Sequence, residues 1–343
     1  MTMPSKKFYQ LVKAKEKSII CLACNHHCII ENQKTGKCGV RKNNNGQLDL
    51  LVNNKLIAFN DDPIEKKPLF HFLPGEESFS ISTLGCNFSC DFCQNWDISQ
   101  TPKEQKEEDI YWGEKWPPQK IIDYCLKNKI KIIAYTYNEP TIWIEYALEI
   151  MKLAKKEKIK NVWVSNGYFS DFTLKAIAPY LNAVNIDLKS FSEEFYQNIC
   201  DAHLEPVKNN IKKVFELGIW EEITTLIIPQ LNDSDEELLA MAQFLKDISK
   251  DLVWHISAFY PAYKMINTKP TPLETILRAY NLGKKGGLNY VYTGNILKAD
   301  SESTYCPNCQ KMVIQRMGIQ LIENKLQKNQ CPYCGYQIAG VFD

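Results

Sequence analysis

Six short apolar or β-branched segments alternate with helix-like segments through the middle of this 343-residue chain. They are SFSISTLG (78–85), KIIAYTY (131–137), NVWVSN (161–166), AVNIDLK (183–189), EEITTLIIP (221–229) and LVWHISAFY (252–260). Strands that alternate with helices form parallel sheets with right-handed crossovers. The sequence therefore predicts an α/β fold. Within that class we favour a partial (β/α)6 TIM-like barrel over an open sheet or a full barrel, with small Cys-rich metal-binding extensions at both ends.

The clearest helical segments are 141–158 and 233–249, in which apolar residues recur at helical spacing. Asp233 or Ser234 can cap the second of these helices, because acidic residues fill the turn that follows. The segment LNYVYTGN, 288–295, is predicted to add one more strand.

Polar and metal-binding residues lie at or near the ends of the six predicted strands. In parallel barrels the reactive groups collect at the carboxyl ends of the strands. The positions hold, in chain order, the Cys86–Cys93 cluster, Asn138, Glu139, Ser165, Asn166, Asp187, Lys189, Pro229, Asn232 and His255. Each residue alone has an ordinary interpretation as a turn former, a solvated lysine or a core histidine. Their joint placement predicts one functional rim.

Eleven of the thirteen cysteines form three groups. The groups are Cys21, Cys24, Cys28 and Cys38; Cys86, Cys90 and Cys93; and Cys306, Cys309, Cys331 and Cys334. In a large chain without a secretory signal, such spacing indicates metal sites rather than disulfides. Cys125, which shares a predicted helical face with Ile121, Ile122 and Leu126, and Cys200 are predicted to be core residues.

The composition disfavours membranes and nucleic acid as partners. The formal net charge is +1, and three arginines stand against 38 lysines. The planar fork that makes paired contacts to phosphate or guanine is therefore scarce. No apolar run approaches the roughly 18 to 20 residues that cross a membrane. The first twenty residues also lack the apolar core of a secretory signal, so we expect a cytoplasmic protein.

The segment GCNFSCDFC, 85–93, places three thiols on one short loop. Three thiolates can hold three corners of a 4Fe-4S cluster, which ordinarily takes four cysteines. One iron then stays open to a substrate or cofactor, much as a catalytic zinc ion keeps an open position. A zinc site completed by a distant cysteine or histidine is the alternative.

The two terminal cysteine groups differ in regularity. The C-terminal group consists of two CxxC pairs separated by 21 residues. Four thiolates in this arrangement favour a structural zinc ribbon, and an auxiliary iron-sulfur cluster is the alternative. The N-terminal group has the spacing CxxCx3Cx9C and includes His26 and His27 as competing ligands. For this group, zinc and an iron-sulfur cluster both remain open.

The central motif, with Phe92 before its third cysteine, resembles the CxxxCx-aromatic-C signature of the radical S-adenosylmethionine (SAM) superfamily. The resemblance implies that the free iron binds SAM and that the reduced cluster cleaves it to methionine and a 5'-deoxyadenosyl radical. It also implies SAM or substrate contacts from Asn138, Glu139 and Pro140 of YTYNEP, Ser165 and Asn166 of VSNGY, Asp187 and Lys189 of NIDLKS, and His255. YTYNEP lacks both glycines of the family's glycine-glycine-glutamate motif. NIDLKS is similar to the DLK segment of pyruvate formate-lyase activating enzymes.

Segments near both ends of the chain resemble the radical SAM member of the AmmeMemoRadiSam system. They are CLACNHHCIIENQKTGKCGVRKN, DPIEKKPLFHFLPG, GCNFSCDFCQNWDISQ, and YVYTGN followed by the paired CxxC motifs. The resemblance runs from about Cys21 to the C-terminus, although Asn25 stands where a proline is usual. It implies association with MEMO-type or AMMECR-type proteins.

The predicted function is hydrogen abstraction from a substrate, with electrons from a flavodoxin-type or ferredoxin-type donor. The substrate is expected to be a protein, and a small molecule or RNA is the alternative. A metal-binding scaffold without catalysis is the alternative from another class. We divide the chain into a Cys-rich segment 1–75, a radical SAM core 76–297 and a zinc-ribbon-like module 298–343.

Overall fold

A computed structural model describes residues 8–12, 17–104, 113–296 and 299–343. The chain divides into two compact units. Unit 1 comprises Met1–Asp61 and Phe79–Asn182, and unit 2 comprises Asp62–Ser78 and Ala183–Asp343. The division into three segments stays a prediction, and its boundary at 297/298 lies outside the described residues.

Unit 1 contains short N-terminal strands and the first part of the strand-helix alternation. Its strands are β1 (Tyr9–Leu11), β2 (Ile19–Cys21), β3 (Ile29–Ile30), β4 (Arg41–Asn44), β5 (Gln47–Leu50), β6 (Lys55–Leu56), β7 (Ala58–Pro63), β8 (Glu77–Ser82), β9 (Glu114–Lys115), β10 (Ile132–Tyr135) and β11 (Lys160–Ser165). The last two residues of β7 and the first two of β8 belong to unit 2. Its helices are α1 (Trp96–Glu104), α2 (Pro118–Lys127), α3 (Ile144–Lys156) and α4 (Asp171–Ile177). β7, β8, β10 and β11 are consecutive neighbours in one sheet, and β10 pairs with β11 in parallel.

Unit 2 continues the alternation and ends in a small antiparallel sheet. Its strands are β12 (Ala183–Asp187), β13 (Trp220–Ile227), β14 (Val253–Ala258), β15 (Val291–Gly294), β16 (Thr304–Tyr305), β17 (Met312–Met317) and β18 (Gln320–Asn324). Its helices are α5 (Glu193–Phe195), α6 (Leu204–Glu216), α7 (Asp235–Ile248), α8 (Leu273–Lys285) and α9 (Ala299–Glu302). β12 to β15 pair in parallel, each with the next.

The predicted α/β fold with a mostly parallel sheet is confirmed. All six predicted strands and the further strand in 288–295 are present, as β8 and β10 to β15. No closed barrel is found among the described strands. None of the described helices is long and apolar enough to span a membrane.

Two local predictions on helices are confirmed. Ser234 caps α7, because its Oγ accepts a hydrogen bond from the N–H of Glu237 at 3.2 Å. Cys125 is fully buried on α2 as predicted, whereas Leu126, on the same predicted helical face, is 49% exposed. One residue further along the helix is a rotation of about 100°, which carries Leu126 to the edge of the apolar face. Cys200 is buried, as predicted.

The C-terminal strands of unit 2 share a hydrophobic core with its parallel strands. The buried members of this core are Phe70, Val253, Tyr290, Tyr292, Cys306, Val313, Ile314, Cys331 and Ile338. Two of the four C-terminal cysteines are therefore core residues themselves. A metal site built on them would be part of the packing of unit 2.

Candidate functional site

The three central cysteines lie on the loop between β8 and α1 in unit 1, which we call the Cys86 loop (83–95). Gly85, the third residue of the loop, has a φ of +95°, which favours glycine. A Cβ atom at this position would stand 2.8 Å from the carbonyl oxygen of Cys38. Glycine is thus required both by the backbone conformation and by the close approach of the N-terminal cysteine segment.

Residues of α1 hold the Cys86 loop in place. The carbonyl oxygen of Phe88 accepts hydrogen bonds from Gln100 Nε2 at 3.2 Å and from Lys103 Nζ at 2.5 Å. The N–H of Phe88 lies 3.5 Å from Cys86 Sγ and donates to it. Burial raises the pKa of the Cys86 thiol, and the nearby Lys103 ammonium partly offsets that rise. The loop therefore presents its thiols from a fixed backbone, with a cation beside the first of them.

Asn138, which follows β10, fastens the end of β8 to the Cys86 loop. Its Nδ2 donates to the carbonyl oxygens of Gly85, at 2.7 Å, and Thr83. Its Oδ1 accepts from Ser82 Oγ at 2.8 Å. The side-chain amide has thus used both N–H groups within unit 1, so its direct effect is to position the loop.

The segment YTYNEP contains no glycine, but its third residue, Tyr137, adopts a backbone conformation that is typical of glycine. Tyr137 has a φ of +66°, a left-handed conformation that glycine adopts most readily. Its carbonyl oxygen accepts a hydrogen bond from Asn95 Nδ2 at 2.6 Å, and its hydroxyl accepts one from Asn60 Nδ2 at 3.3 Å. The segment keeps a glycine-like backbone, which these side-chain contacts hold in place.

Glu139 is buried and accepts hydrogen bonds from two segments. It takes bonds from the N–H and Oγ1 of Thr141, at 3.1 and 2.5 Å. It also takes bonds from Ser165 Oγ, 3.0 Å from each oxygen, and from the N–H of Asn166 at 2.8 Å. Burial raises its pKa, and these donors act in the opposite direction. Glu139, Ser165 and Asn166 are thus brought together, and the carboxylate joins the end of β11 to the turn at Pro140–Trp143.

Asn87, next to the first cysteine of the motif, is a site residue that the sequence patterns did not single out. Its Oδ1 accepts from Asn166 Nδ2 at 2.7 Å, and its carbonyl oxygen lies 2.9 Å from His26 Nε2. Its Nδ2 is buried and has no hydrogen-bond partner among the described residues. A donor of this kind beside Cys86 suits an anionic or carbonyl-bearing ligand. The only signal in the sequence was an asparagine inside the cysteine motif.

The N-terminal cysteines form a compact group in unit 1. The N–H of Cys21 donates to the carbonyl oxygen of Cys28 at 2.9 Å, which closes the hairpin of β2 and β3. Burial raises the pKa of Cys38 to about 11, and the neighbouring thiols Cys21 and Cys28 contribute to that rise. Cys24 has the same two neighbours and Cys38 as a third, and burial is again the main cause of its raised pKa. The four thiols are therefore near enough to influence one another's ionisation.

The C-terminal cysteines form a closed tetrahedral set in unit 2. The Sγ atoms of Cys306 and Cys334 are 3.6 Å apart, and those of Cys309 and Cys331 are 3.7 Å apart. A tetrahedron of Zn–S bonds of about 2.3 Å has sulfurs about 3.8 Å apart. A hydrogen bond from Asn308 and one from the Tyr336 N–H hold the pKa of Cys334 down to about 6. The geometry and the readily ionised thiol fit one zinc-sized ion.

Sulfur spacing separates the three groups. Among the described residues, the C-terminal set is the only group of three or more potential ligands whose donor atoms all lie within 4.8 Å of one another. No three thiols of the Cys86 loop or of the N-terminal group meet that limit. Their sulfurs are too far apart to share a single ion without rearrangement.

Asp187 and Lys189 lie together at the carboxyl end of β12 in unit 2. Asp187 Oδ2 is 2.8 Å from Lys189 Nζ. The Lys189 backbone donates its N–H to the Tyr196 hydroxyl at 3.0 Å and accepts from Asn232 Nδ2 at 2.6 Å. The predicted rim residues of this unit are therefore part of a fixed strand end.

His255 occupies a different position from the predicted rim. It is the third residue of β14, and its Nε2 lies 2.6 Å from Glu222 Oε2 inside unit 2. Glu222 also accepts from the backbone N–H groups of Phe70, at 2.9 Å, and His71, at 2.8 Å. Since His255 is buried below the strand ends and paired with a carboxylate, its observed role is to complete this buried network.

A model of the radical SAM superfamily matches residues 80–245, which include the Cys86 loop and the segments that surround it. An uncharacterized protein of Methanocaldococcus jannaschii is 38% identical over 339 residues, which cover 98% of this chain and 99% of that protein. The chain belongs to the radical SAM superfamily. The family implies a 4Fe-4S cluster and SAM as cofactors.

Two further comparisons concern one relative in sequence and one in fold. A second protein of the same archaeon, which bears the name "putative glycyl-radical enzyme activating enzyme", is 25% identical over 213 residues, 61% of this chain and 78% of that protein. A crystal structure of a radical SAM methyltransferase from Sphaerobacter thermophilus has a TM-score of 0.51 and 14% identity, and covers 66% of this chain and 68% of that one. The structural likeness concerns the fold alone.

The Cys86 loop fits the radical SAM cluster on the chemistry of its donors. Its three thiols form no disulfide, lie within eight residues of one loop and stand wider apart than the ligands of a single ion. Different irons of a cluster would take different thiolates, which requires such a wide spacing.

Proposed function

We propose that this chain is an enzyme that reductively cleaves SAM at a 4Fe-4S cluster held by Cys86, Cys90 and Cys93. When bound and reduced, the cluster supplies the electron that splits SAM into methionine and a 5'-deoxyadenosyl radical, which abstracts a hydrogen atom from the substrate. The observation that carries the proposal is one loop with three thiols that form no disulfide and do not close around a single ion, in a radical SAM chain.

The residues around the loop would bind, orient and shield the cofactors. Asn138 and Glu139 act through position, since the first holds the loop and the second holds the end of β11. Asn87 is our candidate for direct contact with SAM, because its buried Nδ2 has no partner among the described residues. We keep Phe92, Pro140, Ser165, Asn166, Asp187 and Lys189 as candidates for SAM or substrate contacts.

We propose a protein as the hydrogen donor. The support is the similarity to a protein named as a glycyl-radical enzyme activating enzyme and the resemblance of NIDLKS to that group. MEMO-type and AMMECR-type proteins are the first candidates, and a flavodoxin-type or ferredoxin-type protein would supply the electron. We also propose that the C-terminal set binds a zinc ion, because the distances between its sulfur atoms suit one.

The test of SAM cleavage uses full-length protein reconstituted with iron and sulfide without oxygen, then reduced. We expect release of 5'-deoxyadenosine, and loss of that release in a Cys90→Ala variant. Cys200→Ala is the matched control, because Cys200 is buried and belongs to none of the three groups. An undiminished yield from Cys90→Ala would contradict the proposal, and failure of the reduced protein to bind SAM would favour a scaffold.

The test of the substrate is isotope transfer. Each candidate partner is prepared in deuterated form and incubated with the reduced enzyme and SAM. Deuterium in 5'-deoxyadenosine identifies that protein as the hydrogen donor. Cleavage without deuterium uptake, combined with uptake from a deuterated small-molecule or RNA fraction, would redirect the assignment to that class.

A further inference from the structure

The N-terminal cysteine group shares its wide sulfur spacing with the Cys86 loop. No three of its four thiols lie within the 4.8 Å of one another that the C-terminal set satisfies. One zinc ion needs sulfurs about 3.8 Å apart, given Zn–S bonds of about 2.3 Å. A cluster in which each thiolate binds a different iron needs wider spacing. The N-terminal group therefore matches the second kind of site.

The surroundings of this group are arranged for buried negative charge on sulfur. Arg41 is 2% exposed, and its Nε donates to Cys21 Sγ at 3.2 Å. The N–H of Lys37 donates to Cys28 Sγ at 3.5 Å. Hydrogen bonds to ligand sulfurs are among the contacts that set the reduction potential of a cluster.

Arg41 is itself held in one orientation. Its two terminal nitrogens bind Glu145 at 2.6 and 2.7 Å, and one of them also donates to the carbonyl oxygen of Ile142 at 3.0 Å. This bidentate contact fixes the guanidinium, so that its Nε remains directed at Cys21.

The N-terminal group also lies against the Cys86 loop within unit 1. The carbonyl oxygen of Cys38 would be 2.8 Å from a Cβ at Gly85, and His26 Nε2 lies 2.9 Å from the Asn87 carbonyl oxygen. The His26 ring packs on Tyr168, with ring centroids 4.7 Å apart. Any metal centre held by the N-terminal group is thus a neighbour of the Cys86 loop.

We propose that Cys21, Cys24, Cys28 and Cys38 bind a second iron-sulfur cluster, of the 4Fe-4S type with four cysteine ligands, beside the cluster of the Cys86 loop. The inference goes beyond the proposed function and does not rest on it, because it concerns a different set of thiols and is read out without SAM.

The test measures iron, sulfide and zinc per chain after reconstitution of the full chain without oxygen. A Cys86→Ala, Cys90→Ala, Cys93→Ala triple variant should keep about four iron and four sulfide per chain, half of the content of the unaltered protein. A triple variant that contains no iron after reconstitution would overturn the inference, whether or not a second zinc ion takes the place of iron. Zinc at the C-terminal set serves as the internal check that the variant is folded.

A complementary variant tests the location of the second cluster. In protein with an intact Cys86 loop, Cys24→Ala combined with Cys28→Ala should lose about half of the iron and sulfide while 5'-deoxyadenosine release persists. Unchanged iron content in this variant would overturn the inference even if SAM cleavage is confirmed. A single cluster in the unaltered protein would overturn it too, and would leave the proposed function intact.

Arg41 provides a readout that a purely structural site would not give. Arg41→Gln removes a cation and an N–H to sulfur bond, so the midpoint potential of the second cluster should shift to more negative values in the triple-variant background. Arg41→Gln combined with Glu145→Gln controls for the unpaired carboxylate and should show the same sign. An unshifted potential in both variants would contradict the assignment of Cys21 as a cluster ligand.

Discussion

The cysteine sites of the two units differ in how far apart their sulfur atoms stand. In unit 2 the C-terminal set is closed, with pairs of sulfurs 3.6 and 3.7 Å apart. In unit 1 neither the N-terminal group nor the Cys86 loop brings three sulfurs within 4.8 Å of one another. The comparison teaches that cysteine count alone does not decide the metal, since the C-terminal and N-terminal groups each contain four.

The side chains that surround these sites also differ between the two units, being mainly apolar in unit 2 and polar in unit 1. The closed set of unit 2 is packed into a hydrophobic core, which includes Cys306 and Cys331. The sites of unit 1 are surrounded by polar side chains that are fixed by hydrogen bonds, such as the buried Asn87 and Glu139 and the half-buried Asn138. A closed set in a core serves stability, whereas a wide set among ordered polar groups suits redox chemistry.

The largest expected effect is the loss of the proposed zinc ion from the closed set. Cys331→Ala should destabilise unit 2 by more than about 4 kcal/mol, because it removes a core side chain together with a ligand of that proposed ion. Hydrogen exchange of β16 to β18 measures the effect, with Cys200→Ala as the control for loss of a buried thiol. Equal protection of these strands in both variants would mean that the closed set carries no structural metal.

Buried carboxylates provide the next contrast between the units. Glu139→Gln should cost about 3 kcal/mol, because an amide N–H₂ would face donors that now bind a carboxylate oxygen. Glu221 in unit 2 is also buried, has no partner for either oxygen among the described residues, and has its pKa raised by burial. Glu221→Gln should therefore not destabilise the protein at pH 7, since it removes a carboxyl group whose charged form burial disfavours in the folded state. Denaturant titration that ranks the two variants in the reverse order would contradict this account.

Acid should destabilise unit 2 through His71. Burial lowers the pKa of His71 to about 4, and its Nδ1 donates to the Ala339 carbonyl oxygen at 2.6 Å while its Nε2 accepts from Tyr292. In the unfolded chain the imidazole of His71 takes up a proton below about pH 6.5, whereas in the folded chain it does so only near pH 4. The stability that the neutral His71 contributes is therefore complete above pH 6.5 and is lost as the pH falls. The loss at pH 5 should be about 2 kcal/mol.

Unfolding free energies measured between pH 7.5 and 5 check this value. His71→Gln should show a shallower pH dependence over the same range, because it lacks the titrating group. Metal loss from the cysteine sites affects both proteins alike, so their difference isolates His71. Parallel curves for the two proteins would remove His71 as the cause.

Helix caps should give the smallest effects. Ser234→Ala removes one hydrogen bond at the start of α7 and should cost about 1 kcal/mol. Ser170 caps α4 of unit 1 by accepting from the N–H of Thr173 at 3.1 Å, and its Oγ also donates to the Leu22 carbonyl oxygen. Ser170→Ala should therefore cost about 2 kcal/mol, since it also releases the N-terminal cysteine segment. Equal melting temperatures for the two variants would break this comparison.

The strands, the Ser234 cap and the grouping of cysteines could be predicted because each depends on residues close in sequence. The apolar period of the strands and the acidic turn after Ser234 carry local information. Glu139, Ser165 and Asn166 could be placed together because parallel strand ends share an edge. Their hydrogen bonds to each other, which make Glu139 a positioning residue, were not visible in the pattern.

The remaining features depend on contacts between distant segments. His255 pairs with Glu222 on the neighbouring strand, and both meet the segment of Phe70 and His71, some 150 residues away from Glu222. No local period reports such a network. Asn87 was missed because its importance comes from an unpartnered buried donor.

The most direct test of the central claim concerns the open iron of the Cys86 loop. Reduced protein is mixed with SAM that carries an oxygen-17-labelled carboxylate, and the electron paramagnetic resonance signal of the cluster is compared with that for unlabelled SAM. We predict line broadening from coupling between the label and the cluster, because SAM would bind the iron that has no cysteine ligand. Identical spectra under saturating SAM would contradict the claim that the missing fourth cysteine leaves a binding position for SAM.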